Sequence, residues 1–178
     1  MTCTPFLFGK LPAHGDFVAR GLTPDLRAAL DGWLSASLAD ARAGAGEAFE
    51  EAYERAPPWR GAWMEGDRRA AGALAASVDA VGRRFPVLLG LRDLAGDWDA
   101  SEALESLLYD ALAEGWNADR LMAAAAEVRP VAGVLRAEER WWTVAADGST
   151  AGELTGAQPP GLLTAMLASA MAMGQEVA

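Results

Sequence analysis

The first ninety residues alternate between short apolar runs, which predict strands, and one stripe at helical spacing. Residues 6–11 form a short aromatic run bounded by prolines, which predicts a strand. Residues 12–16 contain the Pro and Gly that are typical of a turn, and residues 17–20 predict a second strand. We therefore expect a hairpin near the start of the chain.

A long helix is predicted to follow this hairpin. Thr23 is a suitable N-cap, Pro24 suits the first helical position, and Asp25 favours the positive end of the helix dipole. The apolar residues that recur at helical spacing are Leu26, Leu30, Trp33, Leu34 and Leu38. Residues 47–55 predict a short second helix, which a pair of prolines ends.

Three strands are predicted next, over residues 59–65, 71–78 and 85–91. The last of these, FPVLLGL, is continuously apolar, as in a strand that is buried on both faces. The links between the three strands are short, and short links favour antiparallel pairing.

The second half of the chain is predicted to be mainly helical. Asp99 and Glu102 have the spacing of a capping box at the start of one helix, which Gly115 closes, and Asn117 caps another. Residues 140–145 predict one late strand. The apolar residues of a last predicted helix are Leu162, Leu163, Met166, Leu167, Ala170 and Met173.

These elements predict an α/β fold, of the α+β kind, in a single domain that spans residues 1–178. Its centre is expected to be a mixed, mostly antiparallel sheet of about five to six strands, flanked by helices on both faces. Residues 6–92 form the half that carries the polar motifs described below. Residues 98–178 form a helical half with one late strand.

Composition and charge exclude several classes of function. The chain has 15 Lys and Arg against 25 Asp and Glu, a net charge of −10, so nucleic-acid binding is not expected. Its one cysteine, Cys3, cannot form an internal disulfide, which favours a reducing compartment. The start does not resemble a secretory signal, and the longest apolar run, residues 161–174, is too short to span a membrane. We therefore expect a cytoplasmic protein without membrane insertion.

Two polar regions interrupt the apolar pattern. In the first, Lys10, His14 and Asp16 lie within one turn that lacks the spacing of a phosphate-binding loop. In the second, Asp79 and Arg83 are close enough to pair with each other, or with Asp16 and Lys10 of the first region. Such a pair orders a corner of the fold, whereas the alternative is a surface on which the arginine binds a carboxylate or phosphate. We favour the ordering role.

The residue types of a hydrolytic site are also present. His14, Ser77 and Asp79 supply a base, a nucleophile and an acid, and Arg83 can hold a phosphate. A small hydrolase or phosphate-ligand-binding domain is therefore the alternative function. It requires the base to lie within about 3 Å of the nucleophile, and no Gly-x-Ser-x-Gly elbow surrounds Ser77. One His and one Cys do not predict a zinc site, so no metal and no cofactor are expected.

The adjacent Trp141 and Trp142 must point to opposite faces of the sheet. We expect one of them to lie under a helix and the other to be partly exposed. A partly exposed tryptophan is a candidate hot spot for a protein partner.

Three motifs taken together resemble the TagF/ImpM family, which is associated with type VI secretion gene clusters. They are FGKLP through GDFV, PWR, and SVD through VGR to FP, and they occur in this order over residues 6–91. The residues that we assign to a structural or interaction role in this region are Lys10, His14, Asp16, Arg60, Ser77, Asp79, Arg83 and Arg84.

The resemblance implies a non-enzymatic regulator that represses assembly of the secretion apparatus after translation. It implies contact with an apparatus protein, notably a forkhead-associated scaffold, and in some members a link to a threonine-phosphatase pathway. It implies no catalytic residue. Under this hypothesis the motif residues order one edge of the sheet, and exposed groups nearby contact the partner.

Overall fold

The computed structural model describes residues 3–132 and 138–175. Its strands are β1 (Thr4–Gly9), β2 (Val18–Arg20), β3 (Trp59–Glu65), β4 (Arg68–Ala75), β5 (Val87–Leu94), β6 (Trp98–Asp99), β7 (Val131–Ala132), β8 (Arg140–Val144) and β9 (Thr150–Thr155). Its helices are α1 (Pro24–Ala45), α2 (Phe49–Arg55), α3 (Ser101–Glu114), α4 (Ala118–Ala126) and α5 (Leu162–Gln175), with a 3-10 turn over Gly46–Ala48.

A seven-stranded sheet forms the centre, in the order β2-β1-β5-β4-β3-β8-β9. Each neighbouring pair in it is antiparallel. The expected α+β class is confirmed, but the sheet is larger than the five to six strands predicted. The parallel component implied by a mixed sheet is also absent from the part of the chain that the structure describes.

Helices cover both faces of this sheet, as predicted. On one face α1, α2 and α5 pack over the buried rings of Trp59, Trp63 and Trp141. On the other face α3 and α4 pack over aliphatic residues such as Leu7 and Leu89. These two layers use the alternation of side chains along each strand, since successive residues point to opposite faces.

Trp141 and Trp142 point to opposite faces of the sheet, as predicted for adjacent residues of a strand, but neither side chain is exposed. Trp141 stacks on Trp63, with 5.4 Å between ring centroids. Trp142 is 8% exposed, and the guanidinium of Arg140 lies 4.2 Å from its ring centroid. The expectation of a partly exposed tryptophan at this pair is therefore wrong.

The sequence located two of the helix starts well. Thr23 caps α1 by accepting a hydrogen bond from the Leu26 N–H, and Asn117 caps α4 in the same way. The capping box predicted at Asp99 is wrong, because Asp99 lies in β6 and α3 begins at Ser101. Glu102 lies 3.7 Å from Arg60 and does not reach back to the helix start.

Strands β6, β7 and β9 were not predicted, so the expectation of one late strand is wrong. The first two are only two residues long. Strand β9 is an edge strand with mostly exposed side chains, and it therefore lacks the apolar alternation that identifies a half-buried strand.

The sheet brings the two polar regions to one end. Gly9, the last residue of β1, pairs with Val87 at the start of β5, which also pairs with Ala75 at the end of β4. The loop that follows β1 and the loop that joins β4 to β5 must therefore meet. Across the described ranges, no helix combines the length and the apolar character needed to cross a membrane.

Candidate functional site

The two polar regions meet around the carboxylate of Asp79. The Lys10 Nζ lies 2.9 Å from Asp79 Oδ2, and the Arg83 Nε lies 2.7 Å from the same oxygen. Asp79 is 2% exposed and Lys10 is 6% exposed. The predicted meeting of these distant segments at one corner is confirmed. We call this cluster of Lys10, Asp79 and Arg83 the Asp79 corner.

The second oxygen of Asp79 is occupied by its own loop. Oδ1 accepts hydrogen bonds from the backbone N–H of Val81 at 3.1 Å and of Arg83 at 2.9 Å. The Gly82 N–H closes the turn on the Asp79 carbonyl. Both carboxylate oxygens are therefore saturated by donors, as a buried charge requires.

These contacts also set the protonation of Asp79. Burial by itself raises the pKa of a carboxyl group, but the hydrogen bonds from Lys10, Arg83 and Val81 outweigh burial and hold the pKa of Asp79 well below its usual range. Asp79 is therefore a carboxylate at neutral pH, and its charge balances the buried ammonium of Lys10.

Ser77 connects the Asp79 corner to helix α2. Its hydroxyl donates to the carbonyl of Lys10 at 2.7 Å. The Tyr53 hydroxyl both donates to the Ser77 carbonyl and accepts from the Ser77 N–H. Tyr53 is not among the predicted site residues. A single Tyr on the apolar side of a short helix gives no sign in the sequence that its hydroxyl bonds a distant backbone segment.

His14 connects the first loop to helix α4. Its Nε2 accepts a hydrogen bond of 2.9 Å from the backbone N–H of Ala118, the first residue of α4. Its carbonyl accepts from the Ala80 N–H at 2.8 Å. An accepting Nε2 requires a neutral imidazole with its proton on Nδ1. His14 therefore holds the two motif loops and α4 together.

Asp16 lies beside the Asp79 corner but takes no part in its ion pairs. Its carboxylate accepts the N–H of Phe17, and the residue is exposed. The terminal nitrogen of Arg83 reaches the first loop through the Gly15 carbonyl, at 2.7 Å. Of the pairings that the sequence left open, Asp79 with both Arg83 and Lys10 is the one observed.

The other two arginines of the motifs lie outside this cluster. Arg60 forms a two-pronged contact with Glu105 of α3, at 2.7 and 2.8 Å. Arg84 pairs with Glu50 and Glu54 of α2. Arg60 fixes α3 against strand β3, and Arg84 fixes α2 against the loop before β5. Neither shares a hydrogen bond with Asp79 in the described part of the chain.

Two large apolar side chains are exposed on the loops of this corner. Phe17 is 40% exposed and its ring lies 5.0 Å from the Lys10 Nζ, which it covers. Val81 is 72% exposed, although its backbone N–H is fixed by Asp79. The hydrogen bonds of the Asp79 corner thus order two loops, and each loop exposes one large apolar side chain to solvent.

Among the described residues, no hydrogen bond joins the side chains of His14, Ser77 and Asp79 to one another. The Ser77 hydroxyl donates to the Lys10 carbonyl, and the His14 Nε2 accepts from Ala118, so the nucleophile and the base are each bound to backbone groups. Within residues 3–132 and 138–175, no three His, Cys, Asp or Glu side chains are grouped to hold a metal ion.

Comparison with known proteins agrees with this fold and these motifs. The model of the TagF N-terminal domain, described as type VI secretion system-associated, matches residues 7–128, well over half of the chain. The crystal structure of PA0076 from Pseudomonas aeruginosa PAO1 is similar in fold, with a TM-score of 0.73 and 22% sequence identity, covering 92% of this chain and 94% of that one. Comparison with curated proteins gave no match. The chain therefore belongs to the TagF N-terminal domain family, which is associated with the type VI secretion system.

Proposed function

We propose that this chain is a cytoplasmic, non-enzymatic regulator that represses assembly of the type VI secretion apparatus after translation. It does so by binding an apparatus protein, and a forkhead-associated scaffold is the proposed partner. The observation that carries this proposal is the saturated Asp79 corner, which leaves Phe17 and Val81 as its exposed apolar groups.

The internal pairing of the charges favours this function over the alternative. A phosphate or substrate carboxylate that bound Lys10 would have to displace the Asp79 carboxylate, and both residues are buried, at 6% and 2% exposed. Leaving one partner of a buried pair alone is strongly unfavourable. Exposed apolar groups on a rigid frame are instead typical of protein contacts.

The charge of the whole chain supports the same proposal. Its net charge of −10 steers it towards a basic surface and suppresses encounters with acidic ones. The proposed partner surface is therefore apolar at its centre, where it meets Val81, and basic around it.

The test compares two exposed valines with the same substitution. Val81→Gln removes an apolar side chain from the Asp79 corner, and Val131→Gln removes one of similar exposure, 64%, from β7. We expect Val81→Gln to weaken binding of the purified forkhead-associated scaffold by tenfold or more, measured by calorimetry, a loss of about 1.4 kcal/mol. Val131→Gln should bind as the wild type does.

The same variants report on repression in cells. Deleting the gene should raise type VI secretion, and the wild type and Val131→Gln should restore the lower level, whereas Val81→Gln should not. Unchanged secretion after deletion, together with no measurable binding of the scaffold by the wild type, would overturn the proposal.

A further inference from the structure

A surface cavity lies beside the Asp79 corner, between helices α2 and α3. Its walls come from these two helices and from both motif loops. The half-buried apolar residues among them are Pro12, Ala76, Val78 and Leu112. We call this cavity the Val78 pocket. The Asp79 corner uses charged residues of the FGKLP and SVD motifs, whereas the Val78 pocket uses an apolar residue of each, Pro12 and Val78.

The size of the Val78 pocket suits one side chain. Its volume is about 210 Å³, whereas sites for drug-sized molecules usually have about 300–1,000 Å³. Hot spots of protein interfaces are large side chains that fill well-packed pockets on the partner. The volume therefore favours a single side chain of another protein over a small molecule.

The polar groups of two lining residues are already paired within the chain. The Tyr53 hydroxyl donates to the Ser77 carbonyl at 3.0 Å and accepts from the Ser77 N–H at 3.1 Å. The Ser77 hydroxyl donates to the Lys10 carbonyl at 2.7 Å. A polar side chain that entered the pocket would lose water without gaining these groups as partners, which is unfavourable. The entering side chain is therefore apolar.

The rim of the pocket is acidic. One terminal nitrogen of Arg84 is shared by the carboxylates of Glu50 and Glu54, whose side chains are 60% and 68% exposed. Arg83 does not balance them, because it pairs with Asp79 and reaches the Gly15 carbonyl instead. Two carboxylates around one guanidinium leave one negative charge in excess, which favours a cation beside the apolar group of the partner.

We propose that the Val78 pocket receives one apolar side chain, of about the size of leucine, that is flanked by Lys or Arg in the partner protein. This inference rests on the proposed function, since it assigns the pocket to the partner that meets Val81 on the same loop. A second copy of this chain is a poorer occupant, because its net charge of −10 opposes approach to an acidic rim.

The first test fills the pocket from its own wall. Ala76→Leu adds an aliphatic group at the pocket, and Ala36→Leu adds the same group at an exposed position of α1 that does not line it. We expect Ala76→Leu to weaken binding of the purified forkhead-associated scaffold by about tenfold or more, measured by calorimetry. Ala36→Leu should bind as the wild type does.

The second test needs neither a variant nor the scaffold. The probes are three capped pentapeptides: four lysines around a central leucine, four lysines around a central glycine, and four glutamates around a central leucine. In an NMR titration at low ionic strength, the lysine–leucine peptide should move the methyl signals of Val78 and Leu112 and saturate. Its affinity should exceed that of each other peptide by about tenfold or more. The exposed methyls of Val131 on β7 should stay unchanged.

The two tests separate failure of this inference from failure of the proposed function. Normal scaffold binding by Ala76→Leu, together with weakened binding by Val81→Gln, would overturn the pocket and leave the proposed function standing. Peptide binding without any scaffold binding by the wild type would keep the pocket and overturn the scaffold as its partner.

Three peptide results would also overturn the pocket. Stationary methyl signals of Val78 and Leu112, or equal affinity for the leucine and glycine peptides, would remove the apolar side chain as the ligand. Equal affinity for the glutamate peptide would remove the basic flanks. Methyl shifts that follow protein concentration alone would assign the pocket to a second copy of this chain.

Discussion

At the scale of single residues, Asp79 is the group that joins the two motif loops. It is held by the only lysine of the chain, by Arg83 and by two backbone N–H groups. The sequence identified these residue types and their meeting, but not the choice among partners. That choice depends on the loop backbone, which turns Oδ1 towards two N–H groups and leaves Oδ2 for the two cations.

The lowered pKa of Asp79 predicts a specific acid response. In the unfolded chain an Asp titrates near pH 4, and in the folded chain its pKa is much lower. Its contribution to the free energy of unfolding is therefore fully present above about pH 4 and is lost as the pH falls below that value. We expect Asp79→Asn to be less stable at neutral pH and to lose less further stability on acidification, in urea unfolding from pH 5 to pH 2.

Asp16→Asn is the control for this response, since Asp16 is an exposed carboxylate on the adjacent loop. It should retain the acid slope of the wild type. If Asp79→Asn does not fold, the carboxyl 13C signal of Asp79 in the wild type should stay that of an ionised group at pH 3. A signal that titrates near pH 4 would refute the lowered pKa.

At the scale of elements, the junction of β1 with β5 positions the first motif loop. Gly9 has a φ of 131°, and a Cβ there would lie 2.1 Å from the Pro86 carbonyl oxygen. That oxygen belongs to the backbone and cannot rotate away. The glycine of the FGKLP motif is thus required because the backbone of β1 approaches the backbone at the start of β5 closely, immediately before Lys10.

Gly9→Ala is therefore expected to destabilise the chain severely, by at least about 3 kcal/mol, since both strain and a backbone clash are introduced. Gly15→Ala, on the loop that follows β1, is the matched control, because a Cβ there meets nothing within 4 Å. Chemical denaturation of both variants measures the difference. Equal stability of the two variants would show that β1 and β5 do not approach as described.

Much of the element order was predictable because its signals are local. Neighbouring side chains in the sequence identify the helix caps at Thr23 and Asn117. They also identify the apolar strand predicted over residues 85–91. Strand β9 was missed because its pairing with β8 is a tertiary event that leaves little trace in an exposed segment.

At the scale of the whole molecule, the fold separates a rigid frame from its exposed groups. Helices on both faces cover the sheet, and the motif side chains are directed mainly at one another and at α2, α3 and α4. Much of what the family motifs encode is therefore the frame. Under the proposed function, the partner touches the exposed tips that this frame carries, which include Phe17 and Val81.

Hydrogen–deuterium exchange of the chain, alone and with the purified forkhead-associated scaffold, tests this account most directly. Binding at the Asp79 corner predicts slower exchange in the scaffold complex over residues 10–17 and 79–84, with β9 and the exposed end of α3 unchanged. Slower exchange confined to β9 or α3, with both motif loops exchanging as in the free chain, would contradict the account.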